Sequence, residues 1–369
     1  MSTPPAFPRL PEPGEPAPWF TADRLGADKG FAFHKLGGKH VLLLFFGSAG
    51  QAATAAALAE VARAERLFDN VRAVFFGVSV DPQDVTGKRI SGAKPTINFF
   101  LDPMQDVSRM YGAAAAEHGH YRPYWLLLDP LLRVVGRFPI AAGAQAIAAL
   151  AAEVERPQPD LAPVLQVPNV LAPDLCRRLV ELYEADGGQE SGVMRQVDGR
   201  TTYVADRSFK RRRDCTVEDP ALQGAIRHSI QRRLVPMIHR AFAFEATRIE
   251  RYIVACYDAA DEGVFNAHRD NTTSGTAHRR FAVTINLNDD YEGGDLRFPE
   301  WGTRTYRAPA GGAVVFSCSM LHEATTMRRG RRYATLPFLY DDAAAAVRSA
   351  NLHAVDPAPE RVTAGAGSA

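Results

Sequence analysis

The stretch "RYIVACY" (251–257) is an apolar run, and "NAHRDNTT" (266–273), close behind it, sets His268 and Asp270 one residue apart. An apolar run of this length, with β-branched and aromatic residues between polar segments, predicts a buried strand. Runs of the same kind recur downstream as "RFAVTINLN" (280–288), "DLRFP" (295–299), "AVVFSC" (313–318) and "RYATLPFLY" (332–340). Turn residues separate them, in "DDYEGGD" (289–295) and "APAGG" (308–312). Several short strands with Gly/Pro turns predict a β-sandwich or barrel. Two helical stretches come first, "APDLCRRLVELYEA" (172–185) and "DPALQGAIRHSIQRRLVPMIHRAF" (219–242), and predict helices on one side of it.

On a strand, side chains i and i+2 share a face. His268 and Asp270 are therefore expected to face one cavity, and Arg269 the other side. A third ligand must come from another strand. His322, in "SCSMLHEATT", follows the apolar run "AVVFSC" and supplies it. Two histidines and one carboxylate on one face of an octahedral ion leave open positions opposite, as in non-haem Fe(II) oxygenases. A cosubstrate with carboxylates needs a cation, and Arg332 in "MRRGRRYATL" precedes a strand that would run beneath the metal. A guanidinium pairs bidentately with a carboxylate and stays charged when partly buried.

These residues resemble the 2-oxoglutarate- and Fe(II)-dependent oxygenases, most closely their prolyl-hydroxylase-like branch. The matching motifs are "VACY" before "HRDN", then "YEGGDLRFPE", then "PAGGAVVFSCSMLHEATTMRRGRRYATL". The resemblance runs from about residue 164 to about 341. It implies a double-stranded β-helix (jelly-roll) core with flanking helices, His268, Asp270 and His322 as iron ligands, and Arg332 as partner of the distal carboxylate of 2-oxoglutarate. It also implies Tyr257 and Asn286 beside the metal and cosubstrate, although the loop "DAADEGVFNA" after Tyr257 is poorer in glycine than the family's usual run. The implied chemistry is hydroxylation of a C–H bond with O2, releasing succinate and CO2, with ascorbate as reductant. The substrate would be a peptidyl residue or a small molecule. Asp270 argues against a halogenase, which vacates the carboxylate position.

The N-terminal half reads differently. "HVLLLFF" (40–46), "RAVFFGVSV" (72–80), "TINFFLD" (96–102) and "YWLLLD" (124–129) are strands, while "AATAAALAEVARAERLF" (52–68) and "AAGAQAIAALAAEV" (141–154) are helices, an α/β layer pattern. With "PGEPAPWFTADRL" and "RPYWLLLDPLLRVVG", it resembles the peroxiredoxin and thioredoxin-like superfamily over about residues 13 to 140, with Pro123 where that superfamily has a proline, often cis. The peroxidatic cysteine should fall near Thr54, and a hydroxyl cannot replace a thiolate. A thiol peroxidase is therefore disfavoured, and a scaffold, a dimerisation surface or a docking module remains.

The expected organisation is a flexible tail (1–12), a thioredoxin-like domain (13–155), a proline-rich linker (156–166), the oxygenase domain (167–343) and a C-terminal tail (344–369). A length of 369 residues suits two domains. A net charge of +1 gives no case for nucleic acid or an anionic membrane. No apolar run approaches the ~18 residues that cross a bilayer, and the start has no apolar signal region. The four cysteines match no zinc spacing, so reduced thiols and a cytoplasmic location are expected. A homodimer stays open.

Other features have blander readings. "HGH" (118–120) and "HRR" (278–280) read as surface. "FKRRRD" (209–214) is either a solvated charge run or a grip on an acidic substrate. Cys256, Cys318 and Tyr252 read as core. The alternative to an enzyme is a non-catalytic sensor that keeps the metal and 2-oxoglutarate pocket for binding only.

Overall fold

The computed structural model describes residues 6–27, 29–92, 96–116, 119–157 and 160–356. The chain divides into two compact units, the first running to Leu161 and including Pro299–Gly302, the second comprising Ala162–Phe298 and the residues from Thr303 onward.

The first unit is a thioredoxin-like α/β domain. Its sheet runs Phe31–Ala32, Thr21–Arg24, Ile97–Leu101, Ala73–Ser79, His40–Gly47, Tyr124–Leu128, Val134–Pro139. The strand His40–Gly47 is buried on both faces and pairs parallel with Ala73–Ser79 and antiparallel with Tyr124–Leu128. Its alternate residues enter two different cores. Leu42, Leu44 and Phe46 pack with Ala57 and Val61 of the helix Ala52–Arg63 and with Ala146 and Leu150 of the helix Gly143–Glu155. Val41, Leu43 and Phe45 join Phe33, Phe76, Phe100 and Tyr111 on the other face. Such two-sided burial explains the continuous apolar sequence.

Two expectations need correction here, and the surface reading of "HGH" holds where it can be followed. Residues 6–12 are packed rather than a free tail: Leu10 lies against the core, Arg122 sits over the Phe7 ring at 4.7 Å, and Ala116 N–H donates to the Ala6 carbonyl. No cis peptide bond occurs among the described residues, so Pro123 is trans. Of "HGH", His118 lies outside the described residues, and His120 is exposed.

The second unit is a jelly roll of two antiparallel sheets. The larger carries Arg248–Glu250, Phe338–Tyr340, Phe281–Asn286, Arg331–Thr335, Ile253–Asp258, Arg213–Thr216 and Gln189–Glu190, with Ala313–Ser317 and Leu165–Val167 joined to it. The smaller runs Lys210–Arg211, Val264–His268, His322–Ala324, Leu296–Arg297, Thr305–Tyr306. Val254, Cys256, Val283, Ile285, Val315, Tyr333 and Leu339 of the larger sheet bury against the helices Pro173–Asp186 and Pro220–Ser229 and the turns that follow. Strand alternation then turns Tyr257, Thr284, Asn286 and Arg332 to the opposite, inner face. Tyr257 meets Ala324 and Phe265 of the smaller sheet there, in a cluster with Tyr291 and Met327.

The expected single helix 219–242 is interrupted. A π-helical turn, Ile230–Leu234, precedes Pro236. Proline lacks the N–H that an α-turn would use, so the wider turn absorbs the defect. The linker expectation also shifts, because Leu165–Val167 is a strand paired with Ala313–Val315. The expected tail 344–369 begins inside a helix, Asp342–Asn351, capped by the Asp341 side chain on Ala344 N–H and anchored by buried Ala344. Residues 357–369 lie outside the described residues.

Candidate metal and cosubstrate site

His268 ends the strand Val264–His268, and His322 opens the neighbouring strand. The two are cross-strand partners. Asp270 stands just past the strand end, with its N–H donating to the Cys318 carbonyl at 2.9 Å. The shared face therefore comes from a bend held by Cys318, rather than from strand alternation alone. One ligand atom from each of the three residues lies within 4.8 Å of the others. Nε2 of His268 is 3.5 Å from Asp270 Oδ1, and Nε2 of His322 is 3.3 Å from Oδ2.

Each imidazole is oriented by its other nitrogen. Nδ1 of His268 faces the Asn266 carbonyl at 2.8 Å, and Nδ1 of His322 faces the Met320 carbonyl at 3.1 Å. An Nδ1–H donor to each carbonyl leaves the Nε2 lone pair for a metal. The Phe265 ring stacks on His268 with centroids 3.6 Å apart, and Phe316 lies against His322. Burial, then His268, pushes His322 down to about 4, so it is neutral near pH 7. Burial alone would raise the Asp270 carboxyl, but His322 and His268 hold it below the ordinary carboxylate range. Two imidazoles with Nε2 turned inward and an ionised carboxylate fit a divalent ion.

Arg332 sits on the inner face of the larger sheet and is 4% exposed. Its donors meet only neutral acceptors: Nη1 the Gly294 carbonyl at 2.7 Å, Nη2 Thr284 Oγ1 at 2.7 Å, Nε the Asn286 Oδ1 at 3.1 Å. No carboxylate pairs with it among the described residues. The close approach needs glycine at 294, where φ is +63° and a Cβ would lie 3.2 Å from Arg332 Cδ. Asn286 thus holds Arg332 while its Nδ2 donates to the Ala308 carbonyl. Tyr257 lies under the same guanidinium, 5.5 Å from ring centroid to Cζ, and accepts from Arg212 at 3.4 Å.

Sequence reading alone missed several contributors. Thr284 and Gly294 carry Arg332, and only strand alternation could have pointed to Thr284. The Tyr291 hydroxyl is buried with no hydrogen-bond partner among the described residues. "FKRRRD" is not a solvated run: Lys210 and Arg212 are buried while Arg213 is exposed. Asp214 takes Arg212 bidentately at 2.7 and 2.6 Å. "HRR" also needs correction. His278 is buried, and Glu250 binds both its Nε2 and the Arg279 guanidinium at 2.7 Å. Cys256 and Cys318 are buried free thiols, and burial pushes Cys256 up to about 11.

In the first unit Thr54 is fully buried, and its hydroxyl meets the Phe46 carbonyl at 3.4 Å. The adjoining loop is held by Asp84, whose carboxylate accepts from Ala49 N–H and Ser79 Oγ.

Residues 252–340 match the 2OG-Fe(II) oxygenase superfamily, and residues 13–136 match the AhpC/TSA family. The chain therefore joins a 2OG-Fe(II) oxygenase domain to an N-terminal AhpC/TSA, peroxiredoxin-like domain. Within the superfamily its curated relatives are PKHD-type hydroxylases. One from Cupriavidus metallidurans is 24% identical over 184 residues, 47% of this chain and 75% of the relative. One from Shewanella sp. strain ANA-3 is 28% identical over 188 residues, 48% of this chain and 77% of the relative. A solved Trichoplax adhaerens prolyl hydroxylase, in complex with a hypoxia inducible factor peptide fragment, aligns at TM-score 0.40 and 16% identity, covering 50% of this chain and 86% of that one.

Proposed function

We propose that the second unit is an Fe(II)- and 2-oxoglutarate-dependent dioxygenase that hydroxylates a C–H bond of a peptidyl or small-molecule substrate. The observation that carries this reading is a pair of charge deficits in one jelly roll. The clustered His268 and His322 imidazoles with ionised Asp270 await a cation, and buried Arg332 awaits an anion. His268, Asp270 and His322 would hold the iron. Arg332, steadied by Thr284, Asn286 and the Gly294 carbonyl, would take the distal carboxylate of 2-oxoglutarate. Tyr257 would wall the pocket between them. The metal, when bound, supplies oxygen activation coupled to decarboxylation of 2-oxoglutarate to succinate and CO2. The protein's share is orientation and exclusion of water, which the aromatic packing of Phe265 and Phe316 on the two imidazoles provides. The first unit, with Thr54 at the vacant peroxidatic position, serves as scaffold, dimerisation surface or docking module.

The test is succinate formation by the full chain with Fe(II), ascorbate, O2 and 2-oxoglutarate. Slow uncoupled turnover is expected, with loss in His268→Ala. Binding of 2-oxoglutarate without succinate under any condition would favour a sensor instead.

A further inference from the structure

The alternation in "FKRRRD" brings a second cation to the metal side of the jelly roll. Lys210 pairs in register with Phe265, whose ring stacks on His268, and His268 pairs with His322. Lys210 Nζ lies 4.7 Å above the Phe265 ring centroid, so one ring separates the ammonium from the imidazole of a proposed ligand. Lys210 is 4% exposed. Nζ donates to Ser191 Oγ and to the Gly192 carbonyl, both at 2.7 Å. An ammonium has three N–H donors, and beyond the two hydrogen bonds the third has only the face of the Phe265 ring among the described residues.

The charge balance around Lys210 is the decisive feature. Arg212 and Arg251 disfavour its charge, while Asp214 and Asp270 favour it. Both carboxylates are already committed. Asp214 is taken bidentately by Arg212 and also accepts from Ser191 Oγ at 2.6 Å. Asp270 belongs to the metal on the reading above. Arg251 donates to the Leu336 carbonyl and lies over the Phe338 ring, and no carboxylate hydrogen-bonds to it among the described residues. Among the groups that face it, Lys210, Arg212 and Arg251 are then balanced only by the carboxylate of Asp214 once Asp270 is assigned to the metal. A buried lysine without a counter-ion is strongly disfavoured relative to one paired with an anion. Burial, then Arg212, pushes the Lys210 ammonium well below its ordinary range, so an arriving carboxylate is what stabilises the charged, three-donor form.

We infer that Lys210 is the anchor for an anionic group of the primary substrate, so that the molecule hydroxylated by this domain carries a carboxylate. This rests on the oxygenase reading and deepens it. A carboxylate on the substrate restores the missing counter-charge, accepts the third N–H, and places the rest of the molecule alongside Phe265 and the metal ligands. Lys210 is a substrate-positioning group on the opposite sheet from Arg332, so the two cations serve two different anions. The hydroxylation it supports is the balanced one already proposed: the substrate acid, O2 and 2-oxoglutarate in, the hydroxylated acid, succinate and CO2 out.

The test uses the full chain loaded anaerobically with Fe(II) and saturating 2-oxoglutarate, monitored by the metal-to-ligand charge-transfer band. If no band forms, the oxygenase reading fails, whatever Lys210 does. With the band present, the probes are N-acetyl amino acids as free acids against the same compounds as primary amides, and N-acetyl-Asp and -Glu amides against their Asn and Gln counterparts. Perturbation of the band gives Kd, and succinate release after O2 is admitted gives stimulation. Acid members are expected to bind at least about ten-fold tighter than their neutral partners. That preference should collapse to less than about two-fold in Lys210→Met and in Lys210→Gln, with 2-oxoglutarate Kd unaltered, and be retained in part by Lys210→Arg. Binding by no acid, preference for the amides, or an undiminished acid preference in Lys210→Met and Lys210→Gln would each overturn the proposal. The wild-type acid-to-amide ratio decides the matter even if one variant fails to fold.

Discussion

Replacing Arg332 by methionine separates two roles that usually move together. On the folding side two terms oppose. The Gly294 carbonyl, Asn286 Oδ1 and Thr284 Oγ1 each lose a donor, at about 1 kcal/mol apiece. Against that, a buried guanidinium with no carboxylate partner is removed, which relieves several kcal/mol of desolvation. The difference is small, and Tm should move by less than about 5 °C. On the binding side nothing offsets the loss. A buried dianion terminus without its cation costs about 3–4 kcal/mol, or roughly 100- to 1000-fold in Kd. Calorimetric titration of 2-oxoglutarate into the Mn(II)-loaded protein without O2 measures this directly. Arg332→Lys should fall between, because an ammonium keeps the charge but not the fork. A Kd for Arg332→Met within about five-fold of wild type would refute the assignment of the distal carboxylate to this residue.

Four further outcomes are expected. The metal-free protein should lose stability as pH falls from 6.5 towards 4. In that window the unfolded chain protonates His322 and the folded one, held at about 4, does not, a difference of about 3 kcal/mol that denaturant titrations at several pH values would detect. Asp270→Asn keeps the shape but removes the anion, so Fe(II) affinity should drop at least about ten-fold by competition with a chelating dye. Tyr291→Phe removes a buried hydroxyl that has no well-formed hydrogen bond among the described residues, so metal-free stability should rise by about 1 kcal/mol in chemical denaturation, and a fall of that size would show the hydroxyl is satisfied, with Arg332 its neighbour. Thr54→Cys should not produce a peroxidase. The position is fully buried and its side chain meets only a backbone carbonyl, so a thiol there lacks the cationic, accessible setting of a reactive cysteine, and peroxide consumption should stay at background.

The strands of both units were legible because their periodicity is strong. "HVLLLFF" is continuous where both faces are buried, and "RFAVTINLN" alternates where Val283 and Ile285 face the helices and Thr284 and Asn286 face inward. His268, Asp270, His322 and Arg332 were legible as residue types at particular spacings. Their supports were not. The bend that brings Asp270 round depends on the Cys318 carbonyl, a backbone group without a sequence signature. The burial of His278 depends on Glu250, and that of Arg212 on Asp214, pairings that local hydrophilicity conceals. The π-turn before Pro236 and the helix over the expected C-terminal tail follow from proline and capping chemistry that periodicity does not register.

The most direct measurement is an anaerobic titration of Fe(II) into the metal-free full chain with 2-oxoglutarate present, followed by admission of O2. A visible charge-transfer band that saturates at one iron per chain, is absent in His268→Ala, and bleaches with release of succinate is expected. Iron that binds without the band, or a band that forms equally well without His268, would contradict the His268–Asp270–His322 centre.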